Sequence, residues 1–136
     1  MKDSWDKAIT FTLSWEGGYV NNPDDLGGET KHGISKRAYP NLDIKNLTLE
    51  AAKVIYKQDY WNKLNCDNLP YPLDIVVFDT AINMGIGRAT TILSTDCDWK
   101  DYLLFRISRY NDIAKKTPQF LRGWINRTLA LWKMLR

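Results

Sequence analysis

The sequence predicts an all-α protein that forms one domain over residues 1–136. Its length and its hydrophobic content of 44% suit one globular core. Apolar residues recur at helical spacing along most of the chain, and alternation typical of strands is confined to a few residues within 19–33. We place a soft boundary near 95–98, which would separate a part at 1–94 from a basic helical part at 99–136.

Glycine, proline and capping residues mark where the predicted helices begin and end. Ser4 and Thr48 are predicted N-caps, whereas Gly85 and Pro118 are predicted to stop the segments before them. The predicted helices are 4–15, 49–62, 73–84, 87–94, 99–117 and 119–135. The third is apolar on most faces, which is typical of a helix at the centre of a domain. Residues 17–33 are rich in Gly and Asp and are predicted to form a long loop or a small irregular hairpin.

The net charge of +3 is distributed unevenly along the chain. Residues 1–87 carry nine Lys/Arg and twelve Asp/Glu, a net charge of −3, whereas residues 88–136 carry ten and four, a net charge of +6. A basic C-terminal half suits an anionic partner such as nucleic acid, a membrane surface or a bacterial wall polymer. Charge alone does not choose among these partners, and a role in solubility only is an alternative.

Several classes of protein are not expected. No apolar run approaches the roughly 18 residues that would span a membrane, and the charged N-terminal segment does not resemble a secretory signal. The chain is therefore expected in the cytoplasm. Cys66 and Cys97 are expected to be free thiols. With His32 as the only histidine and no CxxC motif, we expect no metal site.

Glu16 is the first residue with a recognisable chemical use. It lies at the predicted C-terminal end of the first helix, where exposed carbonyls favour a protonated carboxyl by about 0.3–1 kcal/mol. Burial against Trp15, Tyr19 or another apolar wall would have to supply further stabilisation of the acid. A carboxyl that keeps its proton can donate it to a leaving oxygen, which is what glycoside hydrolysis requires.

Glycoside hydrolysis also requires a second group, which the following loop can provide. Asp25, nine residues after Glu16, is the preferred second carboxyl, with Asp24 and Glu29 as alternatives. Thr30 is a candidate for holding a water molecule. The alternative is that this Asp-rich loop is only a solvated surface.

Four motifs resemble those of glycoside hydrolase family 108, whose members are lysozyme-like N-acetylmuramidases of phages, prophages and bacteria. They are E-G-G-Y-V-N followed by P-x-D-x-G-G-x-T-K-x-G-I at 16–34, I-Y-x-x-x-Y-W at 55–61, F-D-x-A-x-N-x-G at 78–85 and F-x-x-G-W-x-x-R at 120–127. The resemblance implies a lysozyme-like helical fold, a peptidoglycan substrate and no cofactor. It also implies a monomer with its catalytic part at 1–94.

The resemblance assigns site residues position by position. Glu16 matches the catalytic glutamate, and Asp25 and Thr30 match the aspartate and threonine of the loop. The spacing from Glu16 to Asp25 also matches phage-type lysozymes, but the step from Asp25 to Thr30 is one residue shorter than theirs. The expected substrate-binding residues are Tyr19, His32, Tyr60, Trp61 and Asn83. For each of them a structural role is the alternative: packing for the aromatic residues and His32, and hydrogen bonds to buried backbone groups for Asn83.

The sequence departs from the family at residues 88–99, which are short and lack the usual DGxxG-like turn. The C-terminal peptidoglycan-binding region is therefore abbreviated. A nucleic-acid-binding protein is not expected, because the segment at 16–35 would then have no purpose. A non-catalytic wall-binding or secretion-helper protein and a lytic transglycosylase remain alternatives. As a phage enzyme, the protein would wait in the host cytoplasm until a holin opens the membrane, or travel with the virion.

Overall fold

The computed structural model describes residues 2–24 and 28–136, and over these residues the protein is mainly helical, as predicted. The α-helices are α1 (Lys2–Trp15), α2 (Leu49–Tyr56), α3 (Leu73–Met84), α4 (Ile86–Leu93), α5 (Trp99–Ile113) and α6 (Leu121–Leu135). A π-helical turn, Lys57–Trp61, continues α2, and 3₁₀ turns occupy Cys66–Asn68 and Pro118–Phe120. Within the described ranges, no helix is long and apolar enough to cross a membrane.

The segment after α1 forms the small hairpin structure that was one of its two predicted forms. Its strands are β1 (Val20–Asn21), β2 (Glu29–Lys31) and β3 (Ile34–Ser35), which pair antiparallel in that order, with Val20 opposite Thr30 and Lys31 opposite Ile34. His32 and Gly33 connect β2 to β3 with φ values of 51° and 80°. Positive φ at both central residues is the geometry of a type I′ turn, which matches the twist of the flanking strands.

Most of the predicted helix ends are close to those observed. Thr48 caps α2 by accepting a hydrogen bond from the Ala51 amide at 3.1 Å. Gly85, with φ 99°, lies between α3 and α4. Helix α5 ends at Ile113, four residues before the predicted end, and Thr117 could not have continued it because a residue before proline disfavours the helical conformation.

The prediction that Ser4 is an N-cap is wrong. Helix α1 already begins at Lys2, so Ser4 lies inside its first turn. The Ser4 side chain is buried and forms a hydrogen bond with Asp74 at the start of α3. Ser4 thus fixes the packing of α1 on α3 instead of starting a helix.

The core lies around α3, whose residues 74–81 are all buried. Trp5, Trp61 and Phe78 pack edge to face there, with ring centroids 5.5–5.6 Å apart. The Trp61 side chain is 0% exposed, and its indole nitrogen donates to Asp67 Oδ1 at 2.9 Å. The prediction that Trp61 binds substrate is therefore wrong, because a fully buried ring cannot stack on a sugar.

The C-terminal helices pack onto this core and onto each other. Helix α5 contacts α3, α4 and α6. Two buried arginines, Arg106 on α5 and Arg127 on α6, reach the central helix with their side chains. Lys115 and Lys116, between these helices, are exposed.

Candidate active site

Glu16 follows α1 directly and is partly covered by α6. The carboxylate Oε1 accepts a hydrogen bond from Arg127 Nη1 at 2.8 Å, and the two side chains are 22% and 6% exposed. Trp15 and Tyr19 are each 40% exposed, so they do not form the apolar wall that the sequence led us to expect. The covering group is instead a buried guanidinium, which pairs with Glu16 when the carboxyl is ionised.

The turn between β2 and β3 lies against the other carboxylate oxygen. A Cβ atom at Gly33 would lie 2.9 Å from Glu16 Oε2 and 2.3 Å from Tyr56 Oη, so only glycine fits at this position. The backbone of His32 holds the turn in place: its amide donates to Gly17 O at 3.1 Å, and its carbonyl accepts from Tyr56 Oη at 2.6 Å. The structure thus brings the hairpin and Glu16 together through backbone contacts.

Arg127 connects Glu16 to a buried carboxylate at the centre of the protein. Its Nη2 donates to Asp79 Oδ1 at 2.8 Å, and its Nε lies within 3.3 Å of both Asp79 oxygens. Asp79 also accepts from Arg106 Nη1 at 2.8 Å and from Thr12 Oγ1 at 3.1 Å. Helices α1, α3, α5 and α6 therefore meet at this carboxylate.

The charges of this network stabilise one another. Burial by itself raises the pKa of the Asp79 carboxyl, but Arg106 and Arg127 outweigh this effect and hold the pKa below its ordinary value. Burial likewise lowers the pKa of Arg127, and Asp79 and Glu16 more than compensate, so that its pKa lies above the ordinary value. With Glu16 ionised, two carboxylates and two guanidinium groups balance to zero net charge.

Asn83 belongs to the same network through a tyrosine. It lies one helical turn after Asp79 on α3, is half-buried, and its Oδ1 accepts a hydrogen bond from the Tyr110 hydroxyl. Tyr110 also accepts from Arg106 Nε at 2.8 Å and stacks on Trp124 with ring centroids 5.1 Å apart. A contact between Asn83 and substrate stays a prediction.

The remaining predicted residues differ in how exposed they are. Tyr60 is half-buried, and burial, Asp59 and Glu16 together raise the pKa of its hydroxyl, which places it within electrostatic reach of Glu16. Thr30 is half-buried in the middle of β2, and Tyr19 is exposed just before β1. Asp25 lies outside the described residues. Sugar contacts by His32, Tyr19 and Tyr60 stay predictions.

The sequence reasoning missed Arg127 as a site residue, together with Arg106. A signal for Arg127 was present, since it is the last residue of the F-x-x-G-W-x-x-R motif at 120–127. That motif lies in the C-terminal region, which the family resemblance associates with peptidoglycan binding, and nothing local links it to a glutamate 111 residues earlier. For Arg106 we find no such signal in the sequence.

The arrangement suits proton transfer by a carboxyl group. One oxygen of Glu16 is fixed by an arginine, whereas the other faces the glycine turn, and the side chain retains access to solvent. A carboxyl of this kind can exchange a proton with an oxygen atom of a bound molecule. Among residues 2–24 and 28–136, no group of three or more His, Cys, Asp or Glu side chains could hold a metal ion.

Comparison with known proteins identifies similar chains. A family described as glycosyl hydrolase 108 matches residues 9–85, which is more than half of the sequence and extends from α1 to the end of α3. A solved structure of SagA from Brucella abortus superposes with a TM-score of 0.81 at 26% identity, covering 99% of this chain and 95% of that chain. A search of curated proteins finds no match.

Proposed function

We propose that this chain, which belongs to glycosyl hydrolase family 108, is an N-acetylmuramidase. Family membership makes it a glycoside hydrolase of a peptidoglycan-active family. The bond proposed to be cleaved is the β-1,4 linkage between N-acetylmuramic acid and N-acetylglucosamine. Cleavage of this bond in the wall would lyse bacteria.

The observation that carries the proposal is the placement of Glu16 between Arg127 and Gly33. As general acid, Glu16 gives its proton to the leaving glycosidic oxygen and becomes a carboxylate. Arg127 Nη1 already lies 2.8 Å from Oε1, so the charge formed by proton donation is paired at once. The proton to be donated belongs on Oε2, the oxygen that Arg127 does not bind.

The second group of the reaction is assigned to Asp25. It would either stabilise the developing positive charge on the sugar or direct the attacking water. Thr30, on β2 of the hairpin, is a candidate to hold that water. Tyr60, which lies within electrostatic reach of Glu16, is a candidate to contact the sugar.

The test is digestion of insoluble peptidoglycan, followed by mass spectrometry of the products. A muramidase releases fragments with N-acetylmuramic acid at the reducing end, whereas a lytic transglycosylase releases an anhydro-sugar. A protein that only binds the wall releases neither. Anhydro products, or no products from folded protein, would contradict the proposal.

Glu16→Gln should lower the rate by about 10²–10⁴-fold, because an amide cannot donate the proton. Glu50→Gln is the matched control, since Glu50 is an exposed glutamate on α2 that pairs with Lys53 on the surface. We expect the control to keep its activity and both variants to keep the wild-type circular dichroism spectrum. Activity of Glu16→Gln within threefold of wild type would remove Glu16 from the mechanism.

A further inference from the structure

We propose that Asp79 is a positioning residue for the catalytic carboxyl, because it fixes how Arg127 is presented to Glu16. This inference rests on the proposed role of Glu16 as the acid. Asp79 is completely buried and does not reach solvent or substrate. It acts on Glu16 through Arg127, in two ways: by geometry and by charge.

The geometric effect arises because the three guanidinium nitrogens of Arg127 bind two different carboxylates. Nε and Nη2 form one edge of the planar guanidinium, and both bind Asp79, which leaves Nη1 for Glu16 Oε1. Two parallel hydrogen bonds to one carboxylate fix the plane of an arginine. Without Asp79, this two-nitrogen edge would be free to turn towards Glu16 and bind both of its oxygens. Oε2, the oxygen that must carry the proton, would then be occupied.

Asp79 is itself held from two further helices. Thr12, one helical turn before Glu16 on α1, donates to its Oδ1, and Arg106 on α5 donates to its Oδ2. Arg106 is fully buried, and its Nη2 has no hydrogen-bond partner among the described residues. Packing alone does not favour a buried guanidinium with an unpaired donor. Its charge opposite Asp79 accounts for its presence.

The electrostatic part follows from the charge balance of the network. Glu16, Asp79, Arg106 and Arg127 sum to zero when Glu16 is ionised and to +1 when it is protonated. The other titratable groups near Glu16 are Tyr56 at the end of α2, Tyr60 in the π-helical turn and His32 in the hairpin turn. Burial and the charge of Glu16 raise the pKa of both tyrosines, so they stay neutral through the working range. His32 is unchanged in every variant below, so it does not affect the differences between them.

The experiment measures kcat as a function of pH for variants that change the charge of the network, with soluble peptidoglycan fragments as substrate. Asp79→Asn removes a negative charge, so Glu16 should lose its proton at lower pH, and the alkaline limb of the profile should move down by about one pH unit. Arg106→Gln removes a positive charge and should move the limb up. The double variant Asp79→Asn with Arg106→Gln restores the charge sum, and its limb should return close to that of wild type.

Asp74→Asn is the matched control, because Asp74 is a second buried acid on α3 that bonds to Ser4, away from Arg127. It should lower stability without moving the limb. If Asp79→Asn does not fold, Arg106→Gln and the double variant still decide the question.

A purely structural role for Asp79 predicts lower rates with the limb at its wild-type position in both Asp79→Asn and Arg106→Gln, so that the double variant has no shift to reverse. That result would overturn the inference while leaving the proposed function intact. The proposed function fails separately, through activity of Glu16→Gln.

Discussion

Gly33→Ala tests whether the hairpin turn must lie directly against the proposed catalytic carboxyl. Alanine at φ 80° is strained by about 1–2 kcal/mol, because its Cβ approaches the backbone in the left-handed region. The added carbon would also lie 2.3 Å from Tyr56 Oη and 2.9 Å from Glu16 Oε2. Relieving such overlap in a packed site costs about 1–3 kcal/mol. The free energy of unfolding should therefore fall by about 2–5 kcal/mol.

Gly28→Ala separates these two effects. Gly28 lies in the same hairpin with φ 69°, but among the described residues a Cβ there would have one neighbour within 4 Å, Lys36 Cβ at 3.9 Å. It should therefore lose only the backbone contribution of about 1–2 kcal/mol. Adding Tyr56→Phe removes the hydroxyl oxygen of the shorter contact but also the hydrogen bond to the His32 carbonyl. Gly33→Ala should therefore cost less in the Tyr56→Phe background than in the wild type.

Urea unfolding measures the stabilities, and peptidoglycan hydrolysis at a temperature where all variants are folded measures the function. Gly33→Ala should lower the rate at least about tenfold, because the added carbon displaces the Glu16 carboxyl and a misplaced reacting group slows the reaction. Gly28→Ala should stay within about threefold of wild type, because strain confined to its own backbone does not displace Glu16. Unfolding energies that agree within about 0.5 kcal/mol for the two alanine variants would refute the reasoning, as would full activity of Gly33→Ala.

Two further predictions concern the loop and the basic C-terminal half. Asp25→Asn should lower the hydrolysis rate by about 10²-fold or more. Asp24→Asn should not, because only Asp25 holds the position of the family's aspartate. A rate assay in which the two variants are equally impaired would contradict the assignment. Binding to insoluble wall should fall steeply with salt, because residues 88–136 carry a net charge of +6 and the screening length drops from about 10 Å at 0.1 M to about 3 Å at 1 M. Charge reversal at the exposed Lys115 and Lys116 should weaken binding to the wall in a pull-down, as added salt does. If binding does not change across the salt series, these charges serve solubility alone.

Helices and their ends were predictable because the signals are local. A run of apolar residues at helical spacing, closed by Gly85 or Pro118, restricts the backbone within a few residues on either side. Local signals do not show which of the two neighbouring aromatic residues, Tyr60 or Trp61, is buried. They lie next to each other in a π-helical turn, and tertiary packing of Trp61 against Trp5 and Phe78 places it in the core.

The partner of Glu16 was not predictable from spacing. The resemblance to known motifs identified Glu16 and the hairpin, and these lie in the part that the family covers. Arg127 lies outside it, and its contact with Glu16 depends on where the fold places α6 relative to α1 and α3. The placement of a helix is set by side-chain packing over the whole protein, and a local sequence pattern does not determine it.

The ion pair between Glu16 and Arg127 joins residues 111 positions apart, which has a consequence for the newly made chain. At about 5–20 residues per second, a ribosome adds Arg127 roughly 6–22 s after Glu16. During that interval the nascent protein carries the acid without its arginine, so the site cannot be assembled while α6 is still missing. Local unfolding or proteolytic loss of α6 should therefore abolish activity even where α1 and α3 stay folded.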